Sequence, residues 1–307
     1  MKTKSAITLL CLLIILIGSE SRACNVCGGS SGGSYMGVLP QIYKNFAGIR
    51  YLQKSFVYSG SQASTLGSGL IEAEQFNTFE LWGRFYPVKN LQVLYFIPYS
   101  INERQEESRN LSIRGIGDIS ITANYNILNR FGDSTKIKQM LLIGGGIKLP
   151  TGLYQQRDVN KTMFPLSFQV ATGSYAFQPN LIYTIRYKKL GLNTDINYRI
   201  NLQNELSYKL GNQLNASTTL FYWQKLSGRI TLLPQAGMFV EKYKKDREFD
   251  LTLESTGGMN LFFNAGIDIY FRKVVLGGMY LMPVYSDLPA TMPDSKGRSV
   301  VSLTYLF

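Results

Sequence analysis

The sequence predicts an all-β protein, a transmembrane antiparallel up-and-down β-barrel of about 12 strands with short periplasmic turns and longer extracellular loops. Three observations predict this fold class. Apolar and polar residues alternate along segments such as 118–127, the C-terminal segment is apolar on one face, and short and long connections alternate along the chain. In such a barrel the apolar face of each strand meets lipid, and the polar face lines the interior.

The first 23 residues have the layout of a secretory signal peptide. Basic residues precede an apolar run at 7–17, and small residues occupy positions −3 and −1 before a cleavage site expected after Ala23. The remaining chain has no apolar stretch long enough for a membrane-spanning helix, so any span is built from strands. The predicted organisation is a cleaved signal peptide at 1–23, a flexible Cys- and Gly-rich segment at 24–42 acting as a periplasmic tether or plug, and the barrel at 43–307.

Two cysteines open the predicted mature chain. Cys24 and Cys27 form a C-x-x-C pair, and three interpretations stay open. A local disulfide suits an oxidising periplasm. Metal binding is the second, although two thiolates supply half of a tetrahedral site and the chain has no His to complete it. Lipidation of Cys24 is the third.

Twelve segments of the chain are predicted as strands by their alternation. They are 43–56, 74–86, 91–102, 115–128, 140–149, 173–187, 190–202, 205–223, 230–241, 257–271, 274–285 and 299–307. An even strand number places both termini in the periplasm. The connections then sort into periplasmic turns, mostly short, and longer extracellular loops, with a tight turn at 203–204 as the exception.

The positive charge of the chain has a topological explanation. A formal net charge of +12 suggests nucleic acid as a partner, but much of the excess lies in the predicted periplasmic turns. There it meets phospholipid headgroups, so we expect no nucleic-acid partner and expect contact with outer-membrane lipid and, at the outer loops, lipopolysaccharide. The turn cations are Lys89, Arg130, Lys136, Lys138, Lys188, Lys189, Lys225, Arg229, Arg272 and Lys273, opposed by Asp133.

Charged residues of both signs fall on the predicted interior phase of the strands. They are the candidate lumen and transport residues, and either they form a constriction with a transverse field or they fill and brace a narrow interior. The candidates are Glu80, Arg84, Asp118, Lys148, Arg186, Asp195, Arg199, Glu205, Lys209 and Asp268.

The C-terminal strand carries a predicted assembly signal. Val301, Leu303, Tyr305 and Phe307 fall at every second position and share one face. Such an ending resembles the C-terminal signature of outer-membrane barrels, which the barrel-assembly machinery reads. The strand is expected to close the barrel by pairing with the first strand, because hydrocarbon does not tolerate an open edge.

The residue types argue for passage rather than catalysis. The chain has no His to act as a general base, so we expect no enzyme and no cofactor. Two functions remain. One is a channel or transporter for small, including hydrophobic or aromatic, solutes. The other is a closed structural or adaptor barrel whose C-x-x-C segment engages a periplasmic partner or metal.

Two motifs resemble a known family. Gly115-Ile116-Gly117-Asp118 opens one strand, and Lys148-Leu149-Pro150-Thr151-Gly152 ends another. Together with Ala171-Thr172-Gly173-Ser174, they resemble the outer-membrane family described as MetA-pathway of phenol degradation proteins. The resemblance covers roughly 115–223 and implies a transporter-like outer-membrane barrel. Ala176 departs from the family pattern, in which an acidic residue is commoner.

Overall fold

The computed structural model describes residues 44–58, 71–107, 109–131, 136–157, 161, 163–289 and 292–307. They form a closed antiparallel barrel of twelve strands, which confirms the predicted fold class. In chain order the barrel strands are Phe46–Val57, Ile71–Val88, Leu91–Glu106, Asn110–Ile116 with Ser120–Asn129, Ile137–Lys148, Ala176–Phe177 with Asn180–Tyr187, Leu190–Asn201, Gln213–Tyr222, Ile230–Tyr243, Gly258–Phe271, Val274–Asp287 and Arg298–Leu306. The predicted signal peptide and the segment with Cys24 and Cys27 lie outside the described residues.

The last strand closes the barrel against the first, as predicted. Phe46 pairs with Leu306, and the ladder continues to Gln53 opposite Ser299. Val301, Leu303, Tyr305 and Phe307 are 50–57% exposed on the outer face, while Thr304 is buried inside. The four side chains of the predicted assembly signal therefore lie on the outer face of the barrel, and their recognition by the assembly machinery stays a prediction.

The outer face of the barrel is apolar. Along the fourth strand, Ile121, Tyr125 and Ile127 are exposed, while Thr122 and Asn124 between them are buried. The same alternation recurs on the tenth strand, where Phe263, Ile267 and Ile269 are exposed. A barrel with exposed apolar side chains outside and polar ones inside suits a bilayer. Within the described ranges, no helix is long and apolar enough to cross a membrane.

The two ends of the barrel differ in the length of their connections. Both chain ends of the barrel and its short turns, such as Val88 to Leu91 and Phe271 to Val274, lie at one end. Outer-membrane barrels place that end in the periplasm. The opposite end, hereafter the outer end, carries longer connections such as 149–175.

The fourth and sixth strands are each interrupted, which alternation did not predict. The fourth strand breaks at 117–119, where Gly117 N donates to the carbonyl of Pro98 at 2.9 Å. Pro98 has no N–H for the ladder, so the regular pairing lapses opposite it. The sixth strand begins at Ala176 rather than at the predicted Gly173, and breaks at Gln178–Pro179 before resuming at Asn180.

The eighth strand is shorter than predicted. It starts at Gln213, not at Glu205, so the predicted tight turn at 203–204 is wrong and an outer connection spans 202–212. The Asn204 side-chain oxygen accepts the Tyr208 N–H at 3.0 Å, and Ser207 has a left-handed φ of 58°. This turn leads into an outer three-stranded sheet of Tyr208–Lys209, Arg247–Glu248 and Leu251–Thr252. With it, the outer connections are all longer than the tightest turns of the periplasmic end.

Adjacent glycines of the fifth strand offer a matched test of the packing. A Cβ on Gly144 would collide with the carbonyl oxygen of Ala123 on the neighbouring strand, whereas one on Gly145 finds no described atom nearer than the Gln178 carbonyl at 3.9 Å. We expect Gly144→Ala to lower the free energy of unfolding by roughly 1–3 kcal/mol, because a backbone neighbour cannot move aside cheaply. Gly145→Ala is the control and should stay near wild type in urea unfolding from lipid vesicles. Equal stabilities of the two variants would contradict the described register.

Candidate functional site in the barrel interior

Buried ion pairs link neighbouring strands inside the barrel. Arg50 Nε of the first strand lies 2.5 Å from Glu80 Oε1 of the second. Arg104 Nε of the third strand donates to Glu74 Oε1 at 2.7 Å. All four side chains are almost fully buried, so each charge depends on its partner rather than on water. Of the two interpretations of the interior charges, this pairing favours the one in which they brace the barrel wall, rather than the one in which they create a transverse electric field.

A further ion pair joins strands that are not neighbours. Arg298 Nη1 of the last strand lies 2.7 Å from Glu241 Oε2 of the ninth, with two strands between them in the sheet. The guanidinium also lies over the Phe262 ring, 4.2 Å from its centroid. Glu241 acts electrostatically on Lys54 and Arg199 as well. The pair therefore crosses one side of the interior.

The break in the fourth strand holds the long outer connection in place. Asp118 Oδ2 accepts from Lys148 Nζ at 2.8 Å, from Thr172 N at 2.9 Å and from Thr172 Oγ1 at 2.6 Å. Lys148 also donates to Thr172 Oγ1 and to the Ser174 carbonyl, and Gly152 N reaches Asp118 Oδ1 at 3.3 Å. Asp118 thus ties the beginning and the end of connection 149–175 to the wall.

This connection folds over the outer mouth. Phe164 and Phe168 pack against Phe56 and Phe76 of the first two strands, with ring centroids of Phe76 and Phe168 6.0 Å apart. Asn102 of the third strand donates to the Phe168 carbonyl at 2.6 Å. The outer mouth is therefore partly covered by an apolar segment fixed at several points.

Aromatic side chains line the interior at the periplasmic end. We call Phe46, Trp82, Phe96, Phe221 and Tyr270 the aromatic collar; they form one buried cluster together with aliphatic neighbours. Their strands place them there because each lies on the inward phase near its periplasmic end. The collar narrows the interior with apolar surface.

Two arginines lie against the aromatic collar. The Arg50 guanidinium lies 4.8 Å from the Trp82 centroid and 5.3 Å from that of Phe96. Arg84 lies 5.0 Å from the Phe46 centroid and donates to the Lys44 carbonyl at 2.9 Å. Cation–π contact of this kind is stronger where water is excluded. The collar is thus an apolar constriction with two arginines beside it, of which Arg50 is paired with Glu80.

Between the collar and the ion pairs, some buried polar atoms lack a protein partner. Both side-chain polar atoms of Asn180 and of Asn264 have no hydrogen-bond partner within the described residues, and neither does Asp195 Oδ2. Unpaired buried amides cost free energy unless water or a ligand satisfies them. These atoms are therefore available to bind water or a polar ligand.

The predicted lumen residues fall into three groups. Glu80, Arg84, Asp118, Lys148, Asp195 and Arg199 are buried inside the barrel, and Asp268 is partly buried there, 3.3 Å from Gln235 Nε2. Arg186 lies near the periplasmic end, 5.4 Å from the Phe131 centroid. Glu205 and Lys209 are misplaced, because both belong to the outer connection 202–212; Glu205 accepts from Tyr154 Oη at 2.9 Å.

Sequence reasoning missed much of the interior. The collar residues, and the charged residues Arg50, Glu74, Arg104, Glu241 and Arg298, were not among the candidates, although all lie on the inward phase of their strands. Following that phase along every strand would have found them. The described residues contain no group of three or more His, Cys, Asp or Glu side chains placed to hold a metal ion.

Comparison with known proteins identifies the fold. No protein-family model matches the chain, and no curated protein matches it, so the family resemblance at 115–223 stays a prediction. Among solved structures, the COG4313 outer membrane channel from Pseudomonas putida F1 is 13% identical, with a TM-score of 0.63 over 87% of this chain and 96% of that one. The translocator domain of the autotransporter NalP from Neisseria meningitidis is 14% identical, with a TM-score of 0.44 over 88% and 90%. The NanC porin is 8% identical, with a TM-score of 0.42 over 85% and 98%.

Of these three, the first exceeds a TM-score of 0.5, and at its low identity it shows a shared fold alone. That fold and the apolar outer face agree with each other and with the distribution of short and long connections. We conclude that the chain is an outer-membrane β-barrel protein of a Gram-negative bacterium.

Proposed function

We propose that this barrel is a channel or transporter that passes small solutes, including hydrophobic or aromatic ones, across the outer membrane. The aromatic collar is the observation that carries the proposal. In a purely structural barrel, side chains need only fill the interior volume. The collar instead gathers aromatic rings at one level of the barrel, next to two arginines. The family resemblance at 115–223, and the channel from Pseudomonas putida F1 with the same fold, support the same class of function.

The chemistry of the collar suits planar apolar solutes. Offset or edge-to-face contact between rings contributes about 0.5–1.5 kcal/mol per pair beyond area burial. Contacts of that size hold a solute briefly and still let it leave, as passage requires. Arg84 favours solutes that carry a partial or full negative charge over cations of equal size, whereas the charge of Arg50 is compensated by Glu80.

Conductance in planar lipid bilayers tests the proposal. Phe221 is fully buried in the collar, whereas its neighbour Leu220 is exposed on the outer face. We expect stable conductance steps from the wild type and a rise of roughly twofold or more in Phe221→Ala, because the constriction widens. Leu220→Ala is the control and should conduct like the wild type. Aromatic carboxylates added to one side should reduce ion flow more than aliphatic ones of equal charge.

The alternative is a closed structural or adaptor barrel whose C-x-x-C segment engages a periplasmic partner or metal. The buried ion pairs favour it, because paired charges that link strands along the inner face brace the wall. Under this alternative, the wild type and Phe221→Ala are both well folded by heat modifiability and both electrically silent. That outcome would overturn the channel proposal.

A further inference from the structure

A basic pocket lies at the outer end of the barrel, away from the interior site. It has a volume of about 1000 Å³ and is formed by the outer connections after the seventh, ninth and eleventh strands. We call it the basic cup. Its cationic lining residues are Lys209, Lys242, Lys244, Lys245 and Arg247, and its acidic ones are Glu254 and Asp287.

The strand register places the cup on the outside of the wall. Lys242 pairs directly with Met259, and Met259 with Asp287. Glu241 and Tyr243, on either side of Lys242, are buried inside, so Lys242 points outward. Lys244 lies two residues further along, so its side chain points to the same, outward side. These cations therefore face the surroundings of the barrel rather than its interior.

The next outward-facing residues toward the periplasm belong to the apolar outer face of the barrel. They are Val240, Leu261 and Tyr285, which pair with one another across the three strands, and Tyr285 is exposed. Two residues along a strand correspond to about 7 Å. The cup therefore begins about two residues beyond the apolar outer face, toward the outer end of the barrel. This is the level at which the hydrocarbon of the membrane gives way to headgroups.

The charges of the cup are mostly uncompensated. Lys245 pairs with Glu254, but Lys209, Lys242, Lys244 and Arg247 form no ion pair within the part of the chain that the structure describes. Five cations face two carboxylates in the lining. Such an excess raises the local concentration of anions.

A buried carboxylate, that of Asp246, holds the segments that form the cup together. Asp246 accepts from Tyr208 Oη at 2.6 Å and from Gly211 N at 2.7 Å, and its own N–H donates to Thr256 Oγ1 at 2.8 Å. Burial raises the pKa of Asp246, and these two donors oppose the rise. The outer three-stranded sheet is tied together by this residue, which sets the spacing of the cations beside it.

Gly211 permits the close approach that completes the cup. Any Cβ there would collide with the carbonyl of Lys244. The Lys244 N–H donates to the Asn212 carbonyl at 2.8 Å, which joins the two outer connections directly. Lys209 and Lys244 are thereby held on facing segments rather than on separate mobile loops.

We propose that the basic cup binds the phosphate groups of lipopolysaccharide in the outer leaflet. Lys and Arg side chains are the usual partners of phosphate oxygens, and several cations around one pocket suit a headgroup that carries more than one phosphate. The outward phase and the row of apolar residues just below fit a ligand whose acyl chains lie against the wall. The proposal does not depend on passage of solutes through the barrel.

Binding of lipopolysaccharide to the purified full-length barrel in detergent tests this proposal. The cup variant K242Q/K244Q/R247Q removes three exposed cations. K188Q/K189Q/R272Q removes three exposed cations at the periplasmic end and serves as the matched control. Because the cup variant loses three exposed charge contacts, we expect it to raise the Kd for lipopolysaccharide roughly tenfold, and we expect the control to change that Kd by less than about twofold.

The outcomes separate the alternatives. Dephosphorylated lipopolysaccharide should bind the wild type as weakly as intact lipopolysaccharide binds the cup variant. Equal losses in the two variants would overturn the proposal in favour of general charge attraction. Competition by inorganic pyrophosphate at concentrations equal to that of lipopolysaccharide would overturn it in favour of a soluble anion.

Heat modifiability checks folding, and the single variant Lys244→Gln replaces the triple variant should the latter not fold. Conductance measured on the same samples reports on the channel proposal independently.

Discussion

Replacing Glu241 by Gln is expected to destabilise the barrel by about 3–5 kcal/mol, because it leaves the buried Arg298 guanidinium without its counter-charge. Arg298 Nη1 lies 2.7 Å from Glu241 Oε2, and both side chains are almost fully buried. The same carboxylate acts electrostatically on Lys54 and Arg199, so its loss concentrates positive charge in the interior. Urea unfolding from lipid vesicles, followed by tryptophan fluorescence, measures the change.

The double variant Glu241→Gln with Arg298→Met is the control for this prediction. A Met side chain retains apolar contact with Phe262, over which the Arg298 guanidinium lies. Removing both charges is commonly much less destabilising than removing one, so we expect the double variant to recover most of the loss. A single variant as stable as the wild type would show that water reaches Arg298 and that the pair does not brace the wall.

Replacing Asp118 by Asn is expected to release the connection 149–175 from the outer mouth. Asp118 accepts hydrogen bonds from Lys148 and Thr172, and its loss of charge leaves the Lys148 ammonium buried without compensation. We expect the free energy that holds this connection against the barrel wall to fall by about 3–5 kcal/mol. Limited proteolysis of vesicles should then cut within 149–175 much faster than in the wild type, and the mean conductance should rise.

Glu205→Gln is the matched control for this experiment. Glu205 also contacts the connection, through Tyr154, but it is exposed, so its loss costs at most about 1 kcal/mol. We expect proteolysis at the wild-type rate in this variant. Unchanged protection in Asp118→Asn would mean that the Phe164 and Phe168 contacts alone hold the connection in place.

The two faces of the barrel were readable from the sequence because alternation is a local property. The seventh strand illustrates this, since it was predicted at 190–202 and is found at Leu190–Asn201. Asp195 and Arg199 on it are buried inside the barrel. A period of two residues needs no knowledge of the partner strands.

What the sequence did not reveal depends on distant partners. Alternation continues through Gly117 and Asp118, yet Pro98 on the neighbouring strand interrupts the pairing there. Glu205 and Lys209 also keep the pattern of a strand, but the buried Asp246 carboxylate accepts hydrogen bonds from Tyr208 and Gly211 and holds this segment against the outer sheet. Both departures arise from contacts between residues far apart in sequence, which periodicity does not encode.

The pairing of Phe46 with Leu306 also has a kinetic consequence. Most of the other ladders join strands that follow one another in the chain, whereas this one joins opposite ends of the described residues. The entropic cost of closing a loop grows with its length, and contacts between distant residues slow folding. We therefore expect the hairpins to form first and this pairing last, so that the longest-lived folding intermediate is an open sheet with the first and last strands unpaired.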